Sequence, residues 1–175
     1  DWGITEYSAE VISSTKKSAD FFENLQLILS KKIGEKEAAK EASNWIMGPL
    51  YAIANKKGKD FSEIGVNSED FAELIIAFKD GMFTKNKAEE ILNESIDKGI
   101  NVSEEIQKLK SVKDSNGSLT EVVKRVIEEN IQAVTDYKNG KEASIGFLVG
   151  KVMQITKGTS NPNDVRNTLV EELKK

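Results

Sequence analysis

The chain has 175 residues, 38% of them hydrophobic and 31% charged, and a formal net charge of −4, which is enough apolar material for one or two domains with buried cores. It has no cysteine and no histidine, so disulfides, thiolate metal sites and nucleophilic mechanisms built on a Ser–His or Cys–His pair are excluded. No apolar run approaches the roughly 20 residues that cross a bilayer and no signal-peptide pattern opens the chain, so we expect a cytoplasmic protein without a membrane partner.

Apolar residues recur at helical spacing from the N-terminus onward. They predict a first helix over 8–29 and a second over 36–56. Pro49 lies inside the second helix, where it should remove one backbone hydrogen bond and kink or split the helix. Trp45, on the apolar stripe of that helix, is expected in the core. Because the chain starts at Asp1 rather than at a methionine, we also expect it to be a piece of a longer protein.

Three further helical segments follow a polar loop, at about 68–81, 84–99 and 103–110. The first two could form a helix-turn-helix that enters a DNA groove. The second of them carries several acidic residues and few basic ones, so the phosphates of DNA would repel it. We therefore expect an ordinary pair of antiparallel helices and no DNA partner.

The polar run at 113–117 is rich in turn-forming residues and is the best candidate for a domain boundary. Directly after it, Ser118 and Glu121 have the spacing of a capping box, which marks the start of a new helix. The sequence therefore predicts a helical linking domain over 1–115 and a tail domain over 116–175.

The tail is predicted to be a small three-helix bundle, with a shorter segment that ends at Gly140. A helix over 141–157 should stop at Gly158, and Asn161 followed by Pro162 is a favoured start for the last helix. Together with the segments upstream, this predicts an all-α fold made of two small helical bundles.

The penultimate predicted helix has two different faces on a helical wheel of about 100° per residue. Roughly opposite its apolar stripe lie Gly146 and Gly150, beside Met153 and Lys157, and each glycine costs about 0.5–1 kcal/mol relative to alanine. Either another helix packs closely into this groove, which the spacing alone favours, or a sugar-phosphate backbone approaches it, with Lys151 and Lys157 supplying charge. The apolar stripe itself has five members: Ile145, Leu148, Val149, Val152 and Ile155.

The sequence predicts no catalytic and no metal-binding residue. Acidic residues occur as adjacent pairs, such as Glu89–Glu90 and Glu128–Glu129. Neighbours on a helix point about 100° apart, so the members of such a pair cannot converge on one ligand. We expect these pairs to be solvated surface and this chain alone to be non-catalytic.

Several motifs occur in a fixed order along the chain. In the tail they are Tyr137-Lys-Asn-Gly-Lys141, the run GFLVGKVM at 146–153, Thr156-Lys-Gly158 and Asn161-Pro162. Upstream they are Tyr7-Ser-Ala-Glu-Val11, Ala19-Asp-Phe-Phe22 and Ala42-Ser-Asn-Trp45. In this order they resemble the GatB/YqeY family. The likeness covers nearly the whole chain, whereas a free-standing YqeY protein would match the tail alone.

The resemblance implies that the chain is the C-terminal part of a B subunit of glutamyl-tRNA(Gln)/aspartyl-tRNA(Asn) amidotransferase. Such a protein converts misacylated Glu-tRNA(Gln) or Asp-tRNA(Asn) to Gln-tRNA(Gln) or Asn-tRNA(Asn), with ATP, Mg²⁺ and ammonia derived from glutamine. The family carries that chemistry in a domain that has no counterpart in this sequence, so no cofactor is expected here. The implied protein partners are an amidase subunit and a small C subunit.

The resemblance also implies that the tail contacts the outer corner of tRNA, near its D-loop. With it added, we expect Lys151 and Lys157 to face tRNA. At Thr84-Lys-Asn-Lys-Ala-Glu89 the sequence departs from relatives that carry more lysines there. The sequence therefore does not predict a tRNA contact by the linking domain. The alternative is a helical protein-interaction module that binds no tRNA. The implied tRNA contacts are Lys141, Gly146, Gly150, Lys151, Lys157 and Gly158.

Overall fold

The computed structural model describes residues 2–175, and within that range it is built of helices and loops without a strand. The predicted all-α fold class is confirmed. We number the α-helices in chain order: α1 Glu6–Ile12, α2 Lys16–Ile33, α3 Glu35–Trp45, α4 Tyr51–Lys57, α5 Ser68–Lys79, α6 Lys85–Lys98, α7 Val102–Asn116, α8 Leu119–Glu129, α9 Ile131–Lys138, α10 Ala143–Thr156 and α11 Pro162–Leu173.

The prediction of one unbroken helix over 8–29 is wrong at its N-terminal end. The Thr15 side chain accepts a hydrogen bond from the Ser18 amide at 3.1 Å, so Thr15 begins α2 instead of lying inside a helix. The Ser13 hydroxyl donates to the Ala9 carbonyl at 2.7 Å, at the end of α1. These short polar side chains satisfy backbone groups at helix ends, and the chain breaks between them.

The effect predicted for Pro49 is confirmed. Ile46–Leu50 forms a π-helical turn that contains this proline and joins α3 to α4. Since proline has no amide hydrogen and its ring clashes with the preceding turn, the regular hydrogen-bond ladder cannot continue through it.

The helix predicted over about 103–110 is longer than expected, because α7 continues without a break from Val102 to Asn116, through most of the polar run at 113–117. The turn is confined to Gly117, with φ +73°, and Ser118. The predicted capping box is confirmed: the Ser118 hydroxyl accepts from the Glu121 amide, and the Glu121 carboxylate accepts from the Ser118 amide.

Contacts divide the chain into two compact units that alternate along the sequence. The N-terminal unit comprises the residues up to Asp80 and Ala88–Ile106, and the tail unit comprises Gly81–Lys87 and Gln107–Lys175. A single cut after residue 115 is not tested by this division and stays a prediction.

The N-terminal unit has an aromatic core. Trp45, 3% exposed, lies edge-on to Phe71 and Phe78, with ring centroids 6.2 and 5.5 Å apart. Its predicted place in the core is confirmed. In the same unit, Ala38 and Ala42 of α3 are fully buried, and α3 packs along α2.

The tail unit is held together by three helices, α8, α10 and α11. The short helix α9 packs against α10 but supplies only partly buried side chains to the core. The segment Gly81–Lys87 also joins this unit, where the Thr84 amide donates to the Gly158 carbonyl at 3.0 Å. The buried core consists of Val122, Val123, Val126, Ile145, Leu148, Val152, Val165, Leu169 and Leu173.

Candidate nucleic-acid interface

Helix α10 turns its predicted apolar stripe toward the core of the tail unit. Ile145, Leu148 and Val152 are buried, and the other two members of the stripe are partly buried. Met153, which the helical wheel placed beside the glycines, is instead partly buried against the same core. Its long, flexible side chain reaches from the edge of the stripe to the apolar cluster.

The opposite side of α10 is exposed to solvent, and we call it the glycine face. At Gly146 and Gly150 an added Cβ would meet no atom within 4 Å beyond the helix's own neighbouring backbone. No described part of this chain therefore packs into the groove that the two glycines make. The glycine face comprises Ala143, Gly146, Phe147, Gly150, Lys151, Gln154 and Lys157, all of them exposed.

Lys151 and Lys157 edge this face in different ways. The Lys151 ammonium lies 5.4 Å from the centroid of the Phe147 ring, within the range of a cation–π contact. Lys157 follows the last residue of α10 with φ 48° and ψ 36°, and it is the one non-glycine residue of 2–175 with a positive φ. A left-handed conformation costs an L-residue roughly 1–2 kcal/mol.

The end of α10 is fixed by hydrogen bonds. The Gly158 amide donates to the Met153 carbonyl at 3.4 Å, and the Asn116 side-chain amide donates to the Ile155 carbonyl at 3.1 Å. These bonds satisfy carbonyls that a helix end leaves open. Lys157 is thereby held at a defined place beside the glycine face.

Two of the six sequence-predicted contact residues lie outside the glycine face. The Lys141 ammonium pairs with the Asp136 carboxylate at 3.2 Å, although its side chain remains 66% exposed. Gly158, with φ +79°, lies where an added Cβ would be only 3.1 Å from the Lys87 Cβ. Gly158 therefore has a packing role in the tail unit, and the structure groups Gly146, Gly150, Lys151 and Lys157 without it.

Phe147 is the residue that sequence reasoning missed. Its side chain is 50% exposed, and Ile131 at the start of α9 is 71% exposed. Both border a groove of about 450 Å³ between α9 and α10. The sequence did contain a sign of this, because Phe147 falls outside the apolar stripe on the helical wheel. An aromatic residue at such a position does not face the core.

The acidic residues do not assemble into a metal site: within residues 2–175, no three His, Cys, Asp or Glu side chains are placed to share an ion. The same part of the chain has no helix that is both long and apolar enough to span a bilayer. The glycine face itself combines bare helix backbone at Gly146 and Gly150 with two lysines and one aromatic ring.

These features define a helical module with a lysine-edged surface that is poor in side chains. The chain belongs to the GatB/YqeY family, since the family model described as the GatB domain matches residues 20–173. The predicted family is thus confirmed.

Relatives named as the B subunit of aspartyl/glutamyl-tRNA(Asn/Gln) amidotransferase align with the whole chain. The protein of Thermoanaerobacter sp. (strain X514) is 38% identical over 177 residues, and that of Clostridium botulinum (strain Hall) is 36% identical over 176 residues. The Listeria welshimeri protein is 35% identical over 176 residues. In each case the alignment covers 100% of this chain but 36% of the relative, so the chain spans about a third of their length.

Proposed function

We propose that this chain is the tRNA-positioning part of an amidotransferase B subunit, and that the glycine face holds the sugar-phosphate backbone of tRNA at its outer corner, near the D-loop. The whole protein would convert misacylated Glu-tRNA(Gln) or Asp-tRNA(Asn) to the correct aminoacyl-tRNA, with ATP and ammonia from glutamine. The single observation that carries the proposal is the open space over Gly146 and Gly150.

The two glycines of α10 have a cost that no contact within residues 2–175 offsets. Each costs about 0.5–1 kcal/mol relative to alanine inside a helix. A helix packed into their groove would compensate for this, but no described part of the chain lies there. A ligand that needs close approach to the helix backbone supplies the other reason for glycine, and an RNA backbone is such a ligand because it is recognised by shape and by its phosphates.

The placement of charge supports the same ligand. Lys151 and Lys157 lie on the edges of the glycine face, where each can meet a phosphate. Lys157 holds its left-handed conformation although glycine would adopt it without strain. Backbone strain at an exposed residue can accompany a functional role, and a lysine here starts its side chain from a defined backbone position beside the glycine face.

We propose that the cofactors of the whole enzyme bind outside this chain. No three His, Cys, Asp or Glu side chains among residues 2–175 are placed to share a metal ion, and we derive no catalytic step from these residues. We assign ATP, Mg²⁺ and the phosphoryl chemistry to the part of the protein that this chain does not span. The amidase subunit and the small C subunit are its proposed protein partners.

The test is a titration of the chain with deacylated tRNA at several salt concentrations. If Lys141, Lys151 and Lys157 meet three phosphates, log K plotted against log[salt] should have a slope between about −2 and −3. Lys151→Ala and Lys157→Ala should each weaken binding and reduce the steepness of that slope by about one. Lys124→Ala, which removes an exposed lysine from α8, is the matched control and should leave both quantities unchanged.

Two results would overturn the proposal. One is a wild-type chain, folded by circular dichroism, that binds no tRNA at low salt. The other is that Lys124→Ala, the control, loses as much affinity as Lys151→Ala and Lys157→Ala. Charge alone would then explain binding, and the glycine face would have no special part in it.

A further inference from the structure

We propose that the groove between α9 and α10 receives an unpaired nucleobase of the bound RNA, stacked on the Phe147 ring. This inference rests on the proposed function, because it takes the RNA backbone to lie on the glycine face. It adds a base-binding subsite to a surface that would otherwise contact the backbone alone.

The groove is open to solvent but large enough to receive a small molecule. Its volume of about 450 Å³ lies within the roughly 300–1,000 Å³ that such sites span. Ile131 and Phe147 provide apolar walls, and both expose large surfaces to water. Single exposed apolar side chains are common, but two that border one groove form a patch that a ligand can cover.

Polar groups also line the groove, among them the carboxylates of Glu129 and Asp136, and they can meet the edge of a base. The Gln132 side-chain amide donates to the Asp136 carboxylate at 3.1 Å, and Ser144 adds a hydroxyl on the side of α10. Carboxylate and amide oxygens accept from the exocyclic amino groups of bases, and a hydroxyl can donate or accept. The groove therefore combines a stacking surface with hydrogen-bonding groups, which is the usual composition of a site for a splayed-out base.

A nucleobase suits this groove better than a protein side chain because the groove is continuous with the glycine face. Phe147 follows Gly146 on the exposed side of α10, and the Lys151 ammonium lies 5.4 Å from the centroid of its ring. A phosphate held by Lys151 would bring the base of the same or the next nucleotide to the Phe147 ring. Stacking on an aromatic ring needs an unstacked base, so the ligand is a loop nucleotide and not a paired one.

The test compares three substitutions of Phe147 in the same tRNA titration. Phe147→Ala should weaken binding about tenfold, since stacking of one base on an aromatic ring accounts for a loss of this order. Phe147→Leu keeps an apolar wall but removes the ring and should lose nearly as much. Phe147→Trp should retain the affinity. The slope of log K against log[salt] should be the same in all three, because stacking releases no counterions.

A second variant and a second RNA complete the design. Ile131→Ser removes the second apolar wall of the groove from a position that is 71% exposed, so it should weaken tRNA binding without altering thermal unfolding. A blunt RNA duplex of the same number of phosphates, which offers no loop base, should bind the wild type and Phe147→Ala equally well.

The outcomes separate the inference from the proposed function. If the wild type binds tRNA and Phe147→Ala binds it equally well, the base subsite is wrong and the proposed function stands. If Phe147→Leu binds like the wild type, the groove is an apolar dock and base stacking is wrong. If the wild type binds no tRNA, the proposed function itself fails.

Discussion

Helices α3 and α10 both carry small residues four apart, and the structure uses them in opposite ways. Ala38 and Ala42 of α3 are fully buried, and α3 packs against α2. Gly146 and Gly150 of α10 face open space. Small residues at this spacing allow close approach in both helices, but no described part of the chain approaches α10 there. The proposed function supplies RNA as the approaching element.

The largest expected change in stability comes from a larger side chain at a buried alanine of α3. Ala42→Leu should destabilise the N-terminal unit by roughly 1–3 kcal/mol, because extra methylenes in a well-packed interface force backbone shifts or strained rotamers. Urea unfolding followed by tryptophan fluorescence is the right measurement, since Trp2 and Trp45 both lie in this unit. An unchanged midpoint would remove the contrast between the two helices, because α3 would then have as much free space as α10.

The next effect is a gain in stability, and it comes from adding a methyl group on the glycine face. Gly146→Ala and Gly150→Ala should each stabilise the tail unit by about 0.5–1 kcal/mol, since alanine is the better helix former and its methyl group meets nothing. Gly158→Ala is the matched control. It should destabilise, because this residue has φ +79° and its new Cβ would meet Lys87. Thermal unfolding by circular dichroism of the three variants checks the prediction, and destabilisation by the first two would show a covered face.

A smaller effect is expected at the C-terminal end of the glycine face. Lys157→Gly removes the strain of a left-handed lysine but adds the chain entropy of glycine, so the net gain in stability should be at most about 1 kcal/mol. The affinity for tRNA should fall in the same variant. Thermal unfolding and the tRNA titration together measure this, and a variant that loses stability would show that the lysine side chain supports the fold.

The smallest effect concerns α8, which supports the buried side of α10. The pKa of Glu121 lies below its ordinary value of 4.5 because its carboxylate accepts a hydrogen bond from the Ser118 amide at 2.6 Å and another from the Ser118 hydroxyl. A lowered pKa in the folded state means that the contribution to stability is present above pH 4.5 and is lost as the pH falls through the lowered pKa. The difference in melting temperature between wild type and Glu121→Gln should therefore be present at pH 7 and shrink at low pH.

Glu128→Gln, on the same helix but outside the capping box, controls for the loss of one charge. A difference for Glu121→Gln that persists unchanged at low pH would mean that the capping carboxylate is not its cause.

Local signals predicted much of the fold. The capping box at Ser118 and the helix start at Asn161 and Pro162 depend on residues close together in sequence, and both occur as predicted. The break before Thr15 was missed because a threonine on a helical stripe can be an interior residue or a cap, and its hydrogen bond decides which.

The candidate site was predictable only in part. A helical wheel shows on which side of α10 the glycines lie, but not whether another element covers that side. The openness at Gly150 and the packing at Gly158 depend on where distant segments such as Gly81–Lys87 lie. The groove beside Phe147 likewise needs the position of α9, which no local pattern contains.

The most direct test of the central claim is the tRNA affinity of Gly150→Leu, which places a bulky side chain on the glycine face without changing the charge. If RNA backbone lies there, affinity should fall by about tenfold or more while the chain stays folded, because the side chain keeps the phosphates from the face. Asn167→Leu, at an exposed position of α11, should bind like the wild type. Unchanged affinity of Gly150→Leu in a folded chain would contradict the account.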